Sequence, residues 1–221
     1  MREIREAHPP FDGEVLVTGQ TAFDLDFIGL VGRRAPLAIG LIVLVTYLVL
    51  FLLLDSVLLP LKAIVMNLLS ITASYGALVF FQDGHLAAWL DFTPGPIQTA
   101  TPLIMFCIVF GLSMDYEVLL LSRVREEYER SGDNAQAVAA SLERTGRLIT
   151  GAAAIIAAVF FGFGLARSVI IQAVGIGIGT AVVVDATVVR APLVPATMRL
   201  MGRWNWWRPA WLTPRARRTL A

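Results

Sequence analysis

Apolar residues in this chain run together in long blocks instead of alternating with polar ones. Ala35–Leu54 carries no charge and reads LAIGLIVLVTYLVLFLLL after Pro36. Residues 60–81 hold a second uncharged run from Ala63, set off by Pro60 and Lys62. A third, 97–121, is uncharged to Met114, and its helical pattern continues through Asp115 to Leu121. The fourth, 148–166, is rich in small residues, and the fifth, 168–200, continues past Asp185. About 20 mostly apolar residues are needed to carry a helix across about 30 Å of hydrocarbon. Five such blocks predict an all-α membrane protein, a five-helix transmembrane bundle over residues 35–202. Residues 1–34 and 203–221 flank it.

Composition narrows the picture further. Hydrophobic residues make up 57% of the 221, charged residues 16%, and mean hydropathy is +0.70. Soluble domains average about 45–50% apolar and about 25% charged, which excludes a freely soluble globule. The same apolar content excludes disorder. A single cysteine, Cys107, excludes a disulfide scaffold within the chain.

The net charge of +1 says little, but its distribution orients the bundle. If five spans alternate, thirteen lysines and arginines fall on one side and five on the other. The rich side holds Lys62, the arginines of 123–147 and those of 190–218. The positive-inside rule makes that side cytoplasmic, so the N-terminus is expected outside and the C-terminus inside a cell (inner or plasma) membrane. Arg33–Arg34, next to the first span, runs against the rule.

Met1–Pro10 is charged and has no apolar stretch of the signal-peptide kind. Residues 11–27 read as a strand (Glu14–Thr18), a Gly19-Gln20 turn and an amphipathic lead into the membrane. They are either a short tail or the trailing edge of a larger extracytoplasmic domain. The connection 82–98 contains Asp83-Gly84 and Pro94-Gly95-Pro96, strong breakers, and no lysine or arginine. In the charged connection 122–147, Asp133 can cap a helix whose Ala135, Val138, Ala139 and Leu142 share one face. That predicts a short amphipathic helix lying along the cytoplasmic surface. The tail Arg203–Leu212 mixes four tryptophans with arginine, which suits an interfacial belt and anionic lipid better than nucleic acid.

Ionisable groups inside spans are functional candidates, because hydrocarbon penalises them unless they are paired or hydrated. Asp115, in GLSMDYEVLLLSR, and Asp185, in GIGTAVVVDATVVRAP, both qualify. Glu117 is expected at headgroup level, since Arg123 and Arg125 follow it. A carboxyl removed from water holds its proton more strongly, so it can take up a proton on one side and release it on the other. Tyr116 adjoins Asp115 and can hydrogen-bond to a carboxylate. Arg190 follows Asp185 by five positions, about 140° round an ideal α-helix. The two are therefore not expected to meet face to face, although the long arginine can reach a shared polar cavity. Gly175 and Gly179 form a small-xxx-small face for close helix packing. No P-loop, no Ser/His/Asp set and no clustered metal ligands are visible; His8 and His85 stand alone.

These segments resemble a known family. Phe110–Ile156 closely resembles the MMPL family of the resistance–nodulation–division (RND) transporter superfamily, with its Met-Asp-Tyr centre, Ser-Arg-x-Arg-Glu-Glu-Tyr exit and Arg-Thr-Gly-Arg return. Gly175–Met198 resembles that family's last spanning helix, finishing Asp, Arg, Pro. The resemblance reaches over roughly residues 20–205. It implies the last five helices of one transporter half, with residues 11–27 ending a porter domain. It implies export of lipids or hydrophobic compounds driven by the proton-motive force, with protons as the coupling ion and no bound cofactor or metal. Asp115 and Tyr116 then match the family's proton-carrying Asp-Tyr pair, and Asp185 and Arg190 match polar residues of the same relay. The implied partners are the lipid bilayer, the hydrophobic substrate, and a second half with a porter domain that this chain lacks. Two other readings compete: a non-transporting lipid-binding or scaffold subunit, and an intramembrane protease using Asp115 and Asp185 as a proton-sharing pair.

Overall fold

A computed structural model describes residues 18–84, 98 and 100–208. Five of its helices are long and apolar enough to cross a membrane, and no strand occurs among the described residues. Residues 14–17 of the expected Glu14–Thr18 strand and residues 85–97 of the expected breaker loop lie outside the described residues. The elements are α1 (Gln20–Leu54), α2 (Leu58–Gln82), α3 (Ala100–Ser131), α4 (Asn134–Phe163) and α5 (Val169–Val184). A π-helical segment (Asp185–Leu193), α6 (Val194–Met201) and a 3-10 turn (Gly202–Trp206) complete the chain.

The chain divides into two compact units at Leu44/Val45. The described part of the first is helix, and Phe23 stacks on Phe27 at 5.9 Å. Its helix begins at Gln20, well before the start expected at Ala35, and Pro36 lies inside it. Proline removes one backbone donor and crowds the carbonyl four residues back, that of Gly32. The helix nevertheless continues on both sides of it, through Arg33, Arg34 and Ala35 before and Leu37 and Ala38 after.

In the second unit each turn has a local cause. α1 ends where Asp55 takes φ +53°, a left-handed conformation that short polar side chains tolerate, and its N–H donates to the carbonyl of Phe51 at 2.9 Å. Ser56 Oγ then accepts from the N–H of Leu59 at 3.3 Å, at the start of α2. Gly132, at φ +71°, ends α3. Asp133 caps α4 by accepting from the N–H groups of Ala135 (2.8 Å) and Gln136 (3.3 Å).

That cap opens one continuous helix, which corrects the expected separation of a surface amphipathic helix from the fourth span. α4 runs 30 residues without a break, because no proline interrupts it and its polar stretch keeps helical periodicity through Gly146 into the span. Its buried face is Val138, Ser141, Thr145 and Ile149; Ala139, expected on that face, is exposed. Likewise α3 extends past Leu121 to Ser131, stitched by ion pairs of Arg123 with Glu126 and Arg125 with Glu129.

Packing of α4 on α5 is very close. A Cβ at Gly175 would lie 2.5 Å from the carbonyl oxygen of Phe160 and 2.7 Å from Phe163 Cβ; one at Gly179 would lie 2.9 Å from the Phe161 ring. Outward faces are apolar: Leu148, Ile155 and Val159 of α4 and Leu61, Val65 and Leu69 of α2 are exposed. Such faces suit hydrocarbon and would be a liability in water.

One end of this unit, where residues 55–58, 131–134 and 202–208 meet, is held by polar contacts. Asn205 is fully buried; its Nδ2 donates to the carbonyls of Met198 (2.6 Å) and Gly202 (3.0 Å), and its own carbonyl accepts from Ser56 Oγ (2.5 Å). Trp206 stacks on Tyr128 at 4.3 Å and donates from Nε1 to Asn134 Oδ1 at 3.0 Å. Arg208 and Arg125 both pair with Asp55. Residues 203–208 of the tail are thus built into the fold here, while Trp204 and Trp207 stay exposed as an interfacial belt would require; residues 209–212 of that tail lie outside the described residues.

Candidate functional site

The fifth span carries the site because its helix changes pitch there. From Asp185 to Leu193 the backbone is a π-helix, whose i→i+5 ladder sets residues five apart above one another. Pro192 lies within it and cannot donate to the preceding turn. The Thr187 hydroxyl bonds to the carbonyl of Val183 at 2.6 Å, satisfying an acceptor at the change of pitch. This geometry corrects the 140° separation expected of Asp185 and Arg190. Arg190 Nε donates to Asp185 Oδ2 at 2.6 Å, with Asp185 7% and Arg190 5% exposed.

Neighbouring helices complete the pair. Asp185 Oδ1 accepts from Ser70 Oγ of α2 at 2.8 Å and from Ser113 Oγ of α3 at 3.1 Å. Arg190 Nη2 donates to the Ser113 carbonyl at 2.5 Å and to its Oγ at 3.2 Å. The guanidinium carbon sits 5.1 Å from the centre of the Tyr116 ring, a cation–π contact. Arg190 Nη1 is buried and has no hydrogen-bond partner among the described residues. A cavity of about 20 Å³ opens beside the pair, bounded by Val109, Leu112, Ser113, Tyr116, Asp185 and Arg190. That is room for one water. The Asp185 carboxylate thus faces one cation and two hydroxyl donors, with space for a water beside the pair.

Three of the four residues expected in the relay are therefore together: Asp185, Arg190 and Tyr116. Asp115 is not with them. It is exposed, and no hydrogen bond or ion pair reaches it among the described residues. The reason is helix geometry. Ser113 and Glu117, four residues apart, share the buried face of α3, and Asp115 lies two residues from each, about 200° round the helix. Tyr116 falls between the two faces, at the edge of the cluster. Asp115 and Asp185 thus do not form the proton-sharing pair that a two-aspartate protease needs.

Glu117 corrects an expectation in the other direction. It is not at a headgroup-exposed level but 4% exposed inside the bundle, and its Oε1 has no hydrogen-bond partner among the described residues. Lys62 is also buried, at 8% exposed, with Nζ donating to the Val194 carbonyl at 3.0 Å. Ser70 and Ser113 carry no charge and do not stand out in the sequence as site residues, while Glu117 and Lys62 lie inside the bundle and not at the headgroup level or flank expected of them. A signal was present: Asn67, Ser70 and Ser74 recur at i, i+3 and i+7 in an otherwise apolar span, and all three are buried. Among the described residues, no group of three or more His, Cys, Asp or Glu could hold a metal ion.

The chain has named relatives. It is 44% identical over 200 residues to a membrane protein of Streptomyces coelicolor, covering 90% of this chain and 28% of that one. It is 39% identical over 212 residues to the trehalose monomycolate exporter MmpL3 of Mycobacterium tuberculosis, covering 96% of this chain and 22% of the exporter. It is 40% identical over 200 residues to the heme uptake protein MmpL11 of the same organism, covering 90% of this chain and 21% of that protein. The chain thus spans between a fifth and just over a quarter of their length. The latter two are named for transport, not for catalysis of a reaction. The profile of the MMPL family matches residues 1–219, and with five membrane-length helices this chain is a multi-pass membrane protein belonging to that family.

Proposed function

We propose that this chain is the proton-coupled membrane portion of a transporter of lipids or hydrophobic compounds, with Asp185 as the group that cycles between neutral and ionised. The observation that carries this reading is the buried Asp185–Arg190 pair in the π segment, set among Ser70, Ser113 and Tyr116 in otherwise apolar helices. A static pair would be an expensive way to hold helices together, since desolvating two charges offsets most of their attraction. A pair that exchanges a proton explains the extra donors and the water-sized cavity. Protonation of Asp185 releases Arg190, and the freed guanidinium, still bonded to Ser113, shifts the balance between α3 and the fifth span.

Asp115 belongs to the relay from the other side. An ionisable side chain facing hydrocarbon costs several kcal/mol, so its exposed face on α3 is best covered by protein. The relatives, one of them a trehalose monomycolate exporter, are longer than this chain, which matches 28%, 22% and 21% of their lengths. The remainder of such a transporter, including a second membrane half and a porter domain, is the natural cover. The arginine-rich end, where residues 55–58, 131–134 and 202–208 meet, faces the cytoplasm.

The test is reconstitution in lipid vesicles of the chain alone and of the assembled transporter, in which the chain is joined to the rest of a family-length protein. The assembled transporter moves a labelled lipid only while a proton gradient is maintained, and the chain alone inserts without moving it. Undiminished transport after a protonophore collapses the gradient would refute the reading.

A further inference from the structure

We propose that Glu117 and Lys62 form a second proton-exchanging station in the same membrane portion, linked to Asp185 and lying toward the arginine-rich end. This rests on the reading of Asp185 above and adds a group that the Asp-Tyr and Asp-Arg pairs leave out.

Four observations converge on Glu117. Glu117 is 4% exposed and its Oε1 is buried without a hydrogen-bond donor among the described residues, a state that costs an ionised carboxylate far more than a neutral acid. It sits one helical turn, about 6 Å, past Ser113 on the same face of α3, and Ser113 is hydrogen-bonded to both Asp185 and Arg190. The charges that act on it come from two packed elements: Lys62 of α2, and Asp185 and Arg190 of the π segment. α4 contributes none of them. Lys62 is itself buried, and in this structure its Nζ is spent on the Val194 carbonyl, just past the π segment, instead of on Glu117.

Charge balance gives the cycle its logic. With both carboxyls ionised, Asp185, Glu117, Arg190 and Lys62 sum to zero; with one proton aboard they sum to +1. In the observed arrangement Asp185 is hydrogen-bonded to Arg190 while Glu117 Oε1 has no hydrogen-bond partner among the described residues, an arrangement compatible with the proton resting on Glu117. The transfer is a single proton. It leaves the Asp185 carboxyl, whose carboxylate then takes the Arg190 pairing, and arrives on the Glu117 carboxylate, which becomes a neutral acid and releases Lys62 to the Val194 carbonyl. The return step sends the proton on toward the arginine-rich end, as Lys62 turns back to the Glu117 carboxylate. Only solvent is needed besides these groups.

The experiment uses the full chain in lipid nanodiscs and pH-induced infrared difference spectra with isotope-labelled glutamate. A protonated-carboxyl band that moves with the glutamate label is expected, and it disappears in Glu117→Gln. In Lys62→Met one cation opposes two carboxylates, so the amplitude of that band at neutral pH should rise about twofold. A glutamate-sensitive band that survives Glu117→Gln, no such band at any pH, or an unchanged amplitude in Lys62→Met would each overturn the proposal. Should Glu117→Gln fail to fold, judged by its melting curve, the parent and Lys62→Met spectra still decide. Because these spectra need no transport, gradient-independent export with an intact Glu117 band would count against the transport reading alone.

Discussion

Replacing Arg190 by methionine is expected to destabilise the chain by about 3–5 kcal/mol and to abolish export by the assembled transporter. The magnitude is that of removing one member of a buried ion pair and leaving the other uncompensated. Asp185 would keep the Ser70 and Ser113 hydroxyls but lose the cation it pairs with among the described residues. The Ser113 carbonyl would lose the donor that ties α3 to the fifth span, and Tyr116 the charge over its ring. Lysine is not an adequate substitute. Nε and Nη2 of the guanidinium serve Asp185 and Ser113 at once, a fork that a single ammonium cannot reproduce. Arg190→Lys should therefore recover part of the stability and little of the transport. Thermal unfolding in detergent, compared with export in vesicles, reads both effects.

Asp115→Asn is expected to separate the same two readouts. Asp115 is exposed and bonded to nothing among the described residues, so the melting temperature of the chain by itself should stay within the spread of a surface change, about 0.5 kcal/mol. Export by the assembled transporter should nevertheless fall to background, because the carboxyl acts against the portion that covers it. Lost stability in the isolated chain would mean that Asp115 serves this bundle internally. Full export with a normal melting curve would remove it from the relay.

How much of this was legible beforehand depends on what each signal measures. Five blocks without charge were enough to read five membrane-length helices, because hydrocarbon sets their length and composition. Their ends were less legible. The start at Gln20 and the unbroken α4 follow from helical continuity through polar residues, which hydropathy does not register. At the site, Asp185 and Arg190 stood out as charges in an apolar frame. Their direct contact did not, because it needs the π segment, and an ideal α-helix sets them about 140° apart. Asp115 and Glu117 were ranked in the reverse of their burial. Nearness to Arg123 and Arg125 puts Glu117 at the headgroups, whereas the spacing to Ser113 decides which carboxyl faces inward. Ser70 and Ser113 carry no charge, so a search for charges passed over both donors to Asp185.

The most direct measurement is gradient-driven lipid export by the assembled transporter carrying Asp185→Asn, beside the parent, at matched membrane levels. Asparagine keeps the shape of the side chain and an oxygen able to accept from Ser70 or Ser113, but it cannot take up or release a proton. Proton coupling through Asp185 predicts export no greater than in vesicles without a gradient, with the protein inserted normally. Export at the parent's rate, still abolished by a protonophore, would contradict it and place the coupling proton elsewhere.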